Sequence, residues 1–378
     1  MVSAVTLSQD GDILTLSGDA GTMRFHAVWL RDNAPDAATK SPQNGQRLIT
    51  LEDIPDGVSM KSARLDGAAI AIVFDDRPDE VMFDPAWLMA HGYDKPAPAE
   101  TIWLDPGLST WGEGMELPTA NYDQVMGDDL AKLAWLEDVQ KYGVAKLTGG
   151  PVKSGALMDV AAMFGYVRET NYGKWFEVRT EVNPVNLAYT GQGLQAHTDN
   201  PYRDPVPTMQ IIYCLENAAE GGDSIVVDGF ACIKRLYEDD PAAATLLATY
   251  CARFDYSGSS DVALRSKRPM IELAPDGEVM GIRFNNRSAA AFTDVPFEEM
   301  QAFYRAYRKL SALIEDPSMQ VSFKLNVGEA FIVDNTRVLH ARNGYTGAGK
   351  RWMQGCYPDK DGLHSTIASM QSLKDAAE

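Results

Sequence analysis

Short apolar runs separated by turn-forming residues fill the first part of the chain. The runs read ILTLSG, MRFHAVWL, AAIAIVF and EVMFDPAWL, and the polar breaks around them read DGD, DNAPDAATKSPQNGQ and DDRPD. Runs of this length, bounded by Gly, Pro, Asn and Asp, are typical of β-strands joined by tight turns. The pattern predicts a small β-rich domain over residues 1–95, followed by a connector containing Pro and Gly at residues 95–118.

Helices and strands alternate in the second predicted domain, residues 119–378. Apolar residues recur there at helical spacing in three stretches. These stretches are Asp128–Tyr142, which Gly143 ends, one that Ser154 caps and that reaches Phe164, and one that Pro296 opens with a stripe from Met300 to Ile314. The strand candidates between them are MQIIYCL, DSIVVDG, MIELA, VMGIRF, VSFKLN, EAFIVDN and WMQGCY. This order predicts a mainly β fold with helices, a two-sheet sandwich of the jelly-roll type.

Composition narrows the range of partners. Asp and Glu number 53 against 34 Lys and Arg, which gives a formal net charge of −19. Such a charge disfavours polyanions and so argues against nucleic acid as a target, although it allows a local cationic pocket. The four cysteines form no CxxC pair, and no apolar run reaches the roughly 20 residues that a membrane span needs. The N-terminus lacks a signal core, so we expect a cytoplasmic protein without a membrane partner.

The sequence His197-Thr198-Asp199, with His340 far downstream, suggests a metal site. Two imidazoles and one carboxylate are the ligands of non-haem iron(II) sites that keep open coordination positions. In a strand, residues i and i+2 lie on one face, so His197 and Asp199 can reach one ion together. The HxD motif alone is weak, but the chain has only five histidines, and His340 follows the apolar run EAFIVDNTRVL. Downstream, Arg351 and Ser224 could together hold a carboxylate.

Longer stretches around these residues resemble a known family. They read NLAYTGQGLQAHTDNPYRDPVPTMQIIYCLENAAEGGDSIVVDGF, VGEAFIVDNTRVLHARNGY and RWMQGCYPD, together with WLRDN near the N-terminus. They are similar to γ-butyrobetaine hydroxylase and trimethyllysine dioxygenase, which are Fe(II)/2-oxoglutarate oxygenases of the taurine dioxygenase superfamily. The resemblance implies a double-stranded β-helix behind a small N-terminal domain. It also implies iron ligation by His197, Asp199 and His340, and 2-oxoglutarate held by Arg351 and Ser224, with dioxygen as the second cosubstrate.

One segment departs from the family pattern. Many members carry a zinc site of three cysteines and a histidine just after WLRDN, whereas this chain reads APDAATKSPQNGQ and has no cysteine before Cys214. We therefore expect no structural zinc. The first domain should depend on its own apolar core, for which the candidates are Trp29, Leu30, Phe74, Phe83 and Trp87. Whether the chain forms a homodimer, as relatives do, stays open.

The resemblance also implies where the substrate binds. Tyr172, Phe176, Tyr189 and Tyr357 match positions that enclose a trimethylammonium group, and Trp175 lies near them in the sequence. A quaternary ammonium has no N–H to donate, so aromatic faces and dispersion hold it. For any one of these aromatic residues, a place in the core remains the alternative. Together they predict a small zwitterionic substrate with a cationic end.

The other end of the substrate should be an anion. Asn186 and Asn285 match family positions that hydrogen-bond a carboxylate. Asn200 stands where the human-type butyrobetaine enzyme carries a tyrosine, and Arg287 stands where a small or neutral side chain is expected. An added cation and an added amide suit a head group with more charge and three acceptor oxygens. These departures favour a phosphonate and point to the bacterial branch that resembles 2-(trimethylammonio)ethylphosphonate hydroxylase, unless Arg287 faces solvent or pairs with an acid.

The predicted reaction is hydroxylation of the carbon next to phosphorus, coupled to conversion of 2-oxoglutarate to succinate and carbon dioxide. Hydroxylation of γ-butyrobetaine to carnitine is the main alternative, and trimethyllysine is a third substrate. A non-catalytic binding module and a zinc hydrolase are the alternatives from other classes. The Gly-containing, aromatic stretch at residues 169–184 is a candidate lid over the site.

Overall fold

The structure, a computed structural model, describes residues 2–19, 21–95, 100–179, 192–259, 262–346 and 350–375. It divides into two compact units, residues 1–99 and residues 100–378, which we call the N-terminal and C-terminal units. None of the described helices combines the length and the apolar character that crossing a bilayer requires. The predicted iron ligands all belong to the C-terminal unit.

The N-terminal unit consists of two three-stranded antiparallel sheets and two short helices. Its strands are β1 (Val2–Leu7), β2 (Ile13–Gly18), β3 (Gly21–His26), β4 (Met60–Asp66), β5 (Ala69–Phe74) and β6 (Glu80–Phe83), and its helices are α1 (Ala27–Asp32) and α2 (Pro85–Ala90). Leu30, Phe74 and Phe83 are fully buried, as predicted. Trp29 and Trp87 are only half-buried and stack on each other beside that core, with ring centroids 5.6 Å apart.

The C-terminal unit contains the remaining described elements. Its strands are β7 (Thr119–Asn121), β8 (Val144–Thr148), β9 (Phe176–Arg179), β10 (Leu194–His197), β11 (Met209–Asn217), β12 (Glu220–Gly221), β13 (Ser224–Asp228), β14 (Cys251–Ser259), β15 (Val262–Pro269), β16 (Ile271–Leu273), β17 (Val279–Ile282), β18 (Gln320–Phe323), β19 (Ala330–Asp334), β20 (Val338–Arg342), β21 (Tyr345–Thr346) and β22 (Arg351–Cys356). Its helices are α3 (Tyr122–Gly127), α4 (Asp129–Tyr142), α5 (Ala156–Ala162), α6 (Gly229–Asp239), α7 (Pro241–Thr249), α8 (Met300–Glu315) and α9 (Lys360–Asp375).

Two sheets form the centre of the C-terminal unit. One has the strand order β10-β20-β13-β18 and the other has the order β7-β8-β19-β11-β22-β9. Apolar side chains of both sheets share one core, in which Val226 and Val338 of the first sheet pack with Cys214, Phe331 and Met353 of the second. The predicted mainly β jelly-roll fold with helices is thereby confirmed.

Alternation along β11 shows how the larger sheet separates its two faces. Met209, Ile211 and Tyr213 pack into the core that the sheet forms with α3, α4, α5 and α9. Gln210 and Ile212, one residue out of phase, point to the opposite face and line the cavity described below. A period of two is what a pleated strand between two different environments requires.

The predicted helices form, with one capping error. Asp128 caps α4 by accepting hydrogen bonds from Leu130 N and Ala131 N, and Gly143 ends the helix in the left-handed conformation, with φ 73°. Ser154 does not cap α5, whose N-cap residue is Gly155. The Ser154 hydroxyl instead accepts a hydrogen bond from Gln354 Nε2. The prediction failed because a tertiary partner on β22 engages this hydroxyl.

Candidate active site

Three side chains that are distant in the sequence meet at the edge of the four-stranded sheet. His197 ends β10, and His340 lies directly opposite it in the antiparallel neighbour β20. Asp199 Oδ1 lies 3.3 Å from His197 Nε2 and 3.7 Å from His340 Nε2. Within the described part of the chain, this is the only group of His, Cys, Asp and Glu side chains whose ligand atoms lie close enough to share one ion, all within 4.8 Å.

The hydrogen bonds around the triad occupy one side-chain atom of His197 and one of Asp199. Each residue keeps a second atom that can bind a metal. His197 Nδ1 lies 2.7 Å from Gln195 O, and donating its proton there leaves the Nε2 lone pair available. Asp199 Oδ2 accepts hydrogen bonds from Gln210 Nε2 at 2.7 Å and from the Tyr357 hydroxyl at 2.8 Å. Asp199 Oδ1 therefore remains the oxygen that faces both imidazoles.

The electrostatics of the triad also suit a divalent cation. Burial, reinforced by His197, lowers the pKa of His340 to about 3, so this imidazole is uncharged at neutral pH. Burial alone would raise the pKa of Asp199, but its interactions with His197, His340 and Tyr357 outweigh burial and lower it. An ionised carboxylate and a neutral imidazole are the forms that bind metal ions. The residues present therefore fit the iron(II) that the sequence predicts.

Cationic side chains form one side of the cavity beside the triad. Arg351 begins β22 and Ser224 begins β13; both are buried and both line this cavity. Arg351 Nε is buried and has no hydrogen-bond partner among the described residues. Arg342 lies two residues after His340, so it shares the same face of β20, and it flanks the Tyr345 ring together with Arg351. Arg351 and Ser224, which are predicted to bind a carboxylate, therefore line the same cavity as the triad.

That space is a single cavity of about 430 Å³ between the two sheets. Its volume falls in the range typical of pockets for small-molecule ligands. The charged side chains that line it are Asp199, Asp255, Arg287, Arg342 and Arg351. Although the whole protein is strongly acidic, cationic residues therefore outnumber acidic ones in this cavity, which suits anionic ligands.

Aromatic rings line another part of the cavity wall. Phe176 lies between Tyr172 and Tyr357, with ring centroids 6.2 Å and 5.1 Å away. Two further tyrosines extend the wall, because Tyr256 stacks on Tyr202 at 4.9 Å and meets the edge of Tyr172 at 6.2 Å. Gly355 lets the Phe176 ring approach β22, since a Cβ atom at Gly355 would overlap the ring. The three predicted aromatic residues that the structure describes are thus brought together.

Polar donors without partners lie in the same cavity. Asn200 is buried, and its Oδ1 accepts a hydrogen bond from the Tyr202 hydroxyl at 2.6 Å, while its Nδ2 has no partner among the described residues. The Ser288 hydroxyl is likewise buried and unpaired. Arg287 lines the cavity, remains open to solvent, and makes no ion pair with any described residue. Asn285 is more fully engaged, because its Nδ2 donates to Thr198 O at 3.3 Å and its Oδ1 accepts from Arg287 N.

Comparison with known proteins connects this geometry to a family. Residues 105–357 match the model of the taurine catabolism dioxygenase TauD, TfdA family, and residues 5–89 match the gamma-butyrobetaine hydroxylase-like N-terminal domain. Gamma-butyrobetaine dioxygenase of Pseudomonas sp. (strain AK-1) is 35% identical over 93% of this chain and 92% of its own length. The chain belongs to the TauD/TfdA dioxygenase family.

Two other relatives are similar to this chain over most of its length. Gamma-butyrobetaine dioxygenase of Homo sapiens is 31% identical over 91% of this chain and 90% of its own length. Mitochondrial trimethyllysine dioxygenase of Rattus norvegicus is 26% identical over 96% of this chain and 86% of its own length. The expectation of an iron- and 2-oxoglutarate-dependent dioxygenase is therefore confirmed at the level of the family and of the ligand triad.

Some predicted site residues of the dioxygenase do not join this group. Asn186 and Tyr189 lie outside the described residues, as does part of the predicted lid at residues 169–184. Trp175 is partly exposed and does not line the cavity. For the residues that are described, the aromatic and polar sets lie in one cavity with the triad.

Other cavity residues were missed by sequence reasoning. Arg342 and Gln210 carried a usable signal, because Arg342 follows His340 at the strand period and Gln210 alternates with buried apolar residues of β11. No such signal in the sequence pointed to Tyr202, Tyr256 or Ser288. These residues reach the cavity from a turn, a hairpin and a loop whose folding the local sequence does not reveal.

Proposed function

We propose that this dioxygenase hydroxylates a small acid that carries a trimethylammonium group, with 2-(trimethylammonio)ethylphosphonate as its preferred substrate and the carbon next to phosphorus as its target. The observation that supports this proposal is the set of side chains that line one cavity. Aromatic rings and the His-Asp-His triad line the same space. So do hydrogen-bond donors and a cation, Arg287, that have no partner among the described residues. A substrate held at a cationic end and at an anionic end presents a fixed methylene between them.

His197, Asp199 and His340 would hold iron(II), and Arg351 with Ser224 would hold the distal carboxylate of 2-oxoglutarate. When bound, iron supplies the activation of dioxygen that couples decarboxylation of 2-oxoglutarate to hydroxylation of a C–H bond. The chain supplies orientation and exclusion of water. Gln210 and Tyr357 hold Asp199 Oδ2, which keeps the carboxylate in one orientation while the cavity fills. A guanidinium such as that of Arg351 offers two parallel N–H groups to a carboxylate. It therefore fixes the orientation of the bound carboxylate as well as its position.

The aromatic end suits a quaternary ammonium group. Tyr172, Phe176 and Tyr357 lie with their rings in contact along one part of the cavity lining. Attraction between a desolvated cation and an aromatic face is on the order of 1–2 kcal/mol. Asp255 adds a negative charge to the cavity lining. This end would therefore prefer a cation that cannot donate hydrogen bonds.

The anionic end favours a phosphonate over a carboxylate. Like a phosphate, a phosphonate offers three acceptor oxygens and carries more negative charge than a carboxylate. Asn200 Nδ2, the Ser288 hydroxyl and the Arg287 guanidinium all have donor capacity that no described residue uses. A carboxylate has fewer acceptor oxygens to offer these donors, and leaving a buried one such as Asn200 Nδ2 without a partner costs free energy.

Hydroxylation of γ-butyrobetaine to carnitine is the second candidate. The observation that favours it is the 35% and 31% identity to relatives named gamma-butyrobetaine dioxygenase. Both candidates require the same aromatic end and the same triad. They differ in the anionic group and in the length of the carbon chain that joins it to the ammonium.

Arg287→Ala separates the two candidates. Succinate formation and product mass are measured with iron(II), ascorbate, 2-oxoglutarate and either substrate. We expect the substitution to lower kcat/KM for the phosphonate by about tenfold to a hundredfold, the scale of one lost charge-assisted hydrogen bond. The loss for γ-butyrobetaine should be smaller. Equal losses for both substrates would remove the preference for the phosphonate, and wild-type turnover of neither would end the proposal.

Asp199→Ala tests the metal assignment. Loss of the only carboxylate in the triad should abolish succinate formation with every substrate. Asp239→Ala, which removes an exposed carboxylate on α6 outside the cavity, is the control and should retain succinate formation. Near-normal turnover by the Asp199→Ala variant would refute the role of the triad.

A further inference from the structure

Asn200 has a backbone conformation that is rare among residues other than glycine. Its φ of 53° makes it the only described non-glycine residue with a positive φ. Asparagine tolerates this left-handed region better than most residues, but the conformation still has to be held by its surroundings. Asn200 directly follows Asp199, and the next hydrogen bond of the turn runs from Arg203 N to Asn200 O at 3.0 Å. The conformation is thus built into the turn after the triad carboxylate.

A chain of hydroxyl groups ends at the amide of Asn200. The Tyr202 hydroxyl lies 2.6 Å from Asn200 Oδ1 and 3.2 Å from the Tyr172 hydroxyl. A phenol has one proton to donate, and Tyr202 donates it to Asn200 Oδ1. Its remaining lone pairs can then accept the proton of Tyr172. The amide oxygen of Asn200 is thereby fixed toward Tyr202, and its nitrogen is turned away from it.

The amide nitrogen is an unused donor on a residue that lines the cavity. Asn200 is 4% exposed, and its Nδ2 has no hydrogen-bond partner among the described residues. A buried N–H without a partner is costly, so such a group usually binds an ordered water or a ligand. The reversed amide would instead present an oxygen to a cavity that already contains the Asp199 carboxylate.

We infer that Tyr202 is a positioning residue for substrate specificity: its hydroxyl fixes the Asn200 side chain so that an N–H donor, not an oxygen, faces the anionic group of the substrate. This inference rests on the proposed function, because it assumes an anionic substrate in this cavity. It also connects the two ends of the site, since Tyr172 belongs to the aromatic wall while Asn200 belongs to the anionic end.

A double-mutant cycle between Tyr202→Phe and Asn200→Gly tests this assignment. Glycine adopts the left-handed backbone freely, so Asn200→Gly removes the amide without adding strain. KM for 2-(trimethylammonio)ethylphosphonate and for γ-butyrobetaine, and KM for 2-oxoglutarate, are measured for all four proteins. We expect Tyr202→Phe to raise the substrate KM about tenfold, the scale of one hydrogen bond, and to leave the KM for 2-oxoglutarate unchanged. In the Asn200→Gly background the same substitution should have no further effect.

Asn200→Asp provides an independent readout. It keeps the shape of the side chain and an acceptor for Tyr202, but it replaces the inward N–H with a negatively charged oxygen. The substrate KM should rise by a hundredfold or more, because like charges then oppose each other in a partly desolvated site. Tyr213→Phe is the matched control, since it removes another buried tyrosine hydroxyl, one that donates to Pro151 O at 3.0 Å outside the cavity.

The outcomes distinguish a failure of the proposed function from a failure of the role assigned to Tyr202. Wild-type protein that turns over neither substrate refutes the proposed function, and this inference fails with it. Normal wild-type turnover with additive effects of Tyr202→Phe and Asn200→Gly refutes the inference alone, because Tyr202 would then act independently of the amide. An Asn200→Asp variant with the wild-type KM would also refute it.

Discussion

Tyr357 contributes to the site through both its ring and its hydroxyl. The ring lies 5.1 Å from Phe176 in the aromatic wall, and the hydroxyl donates to Asp199 Oδ2 at 2.8 Å. Groups that orient a metal ligand typically change metal affinity by tenfold to a hundredfold when they are removed. Tyr357 therefore links the aromatic end of the cavity to the metal ligands within a single side chain.

Paired substitutions should separate these two contributions. Tyr357→Phe keeps the ring and removes the hydroxyl, so we expect affinity for Mn(II), measured by calorimetry as a stand-in for iron(II), to fall by about tenfold. Phe176→Leu removes a ring that makes no hydrogen bond to the triad, so it should raise the substrate KM and leave metal affinity unchanged. If both variants gave the same pattern, Tyr357 would not have the double role.

At the residue scale, site residues of a type that is rare in the sequence could be predicted, whereas those of a common type could not. His197, Asp199 and His340 stood out because the chain has few histidines and because the ligand set is specific. Tyr202 is one of 15 tyrosines, and only the turn after Asp199 brings its hydroxyl to Asn200. The amide of Asn285 was expected to serve the substrate, whereas the fold engages it with backbone groups of Thr198 and Arg287.

One buried and one partly buried ion pair hold α1 and the polar segment after it in the N-terminal unit. Arg31 Nε lies 2.7 Å from Asp76 Oδ2, and these two side chains are only 9% and 8% exposed. Arg77 pairs with Asp36 at 2.8 Å, and Asp36 also accepts a hydrogen bond from Thr39. The first pair connects α1, and the second connects the segment after α1, to the turn between β5 and β6. A segment without metal-binding cysteines is thus held by charge pairs.

Asp76→Ala should destabilise this unit strongly. It leaves the Arg31 guanidinium buried without its partner, which costs about 3–5 kcal/mol of the free energy of unfolding. Glu80→Ala is the matched control, because the Arg64–Glu80 pair is about half exposed and such pairs contribute no more than about 1 kcal/mol. Urea unfolding of the full chain measures both effects. Equal, small losses would show that the buried pair is not what holds the segment.

At the element scale, apolar periodicity predicted the central strands and missed the hairpin over the cavity. β11, β13, β19 and β22 carry continuous apolar runs because they are buried between the two sheets or under the helices. The hairpin of β14 and β15 has the mixed sequences CARFDYSGS and VALRSKRP, because much of it faces solvent. Tyr256, which reaches the cavity from this hairpin, could not be recognised without it.

For the molecule as a whole, the acidic net charge and the cationic cavity act together. The chain carries a formal charge of −19, yet Arg287, Arg342 and Arg351 all line the cavity. Burial and the nearby Arg351 lower the pKa of Arg342 to about 10, so this guanidinium stays protonated at neutral pH. The negative net charge disfavours polyanions, while the cationic cavity still suits small anionic ligands.

Metal binding should stabilise the whole protein through linkage. A ligand that binds only the folded state adds about 2.7 kcal/mol at a hundredfold excess over its Kd. Iron(II) added under nitrogen should therefore raise the Tm of wild-type protein, whereas the Asp199→Ala variant should show no increase. The Tyr213→Phe variant, whose change lies outside the cavity, should shift as the wild type does. An equal increase in the Asp199→Ala variant would indicate that the metal binds elsewhere.

The pairing of His197 with His340 also determines when a newly made chain can take up iron. The first two ligands leave the ribosome well before β20, and two donors alone hold a divalent ion weakly. A nascent or prematurely ended chain that lacks β20 would therefore bind the redox-active metal only weakly. Loading must wait until the strand that brings His340 has joined the sheet, so the finished fold is what admits oxygen chemistry.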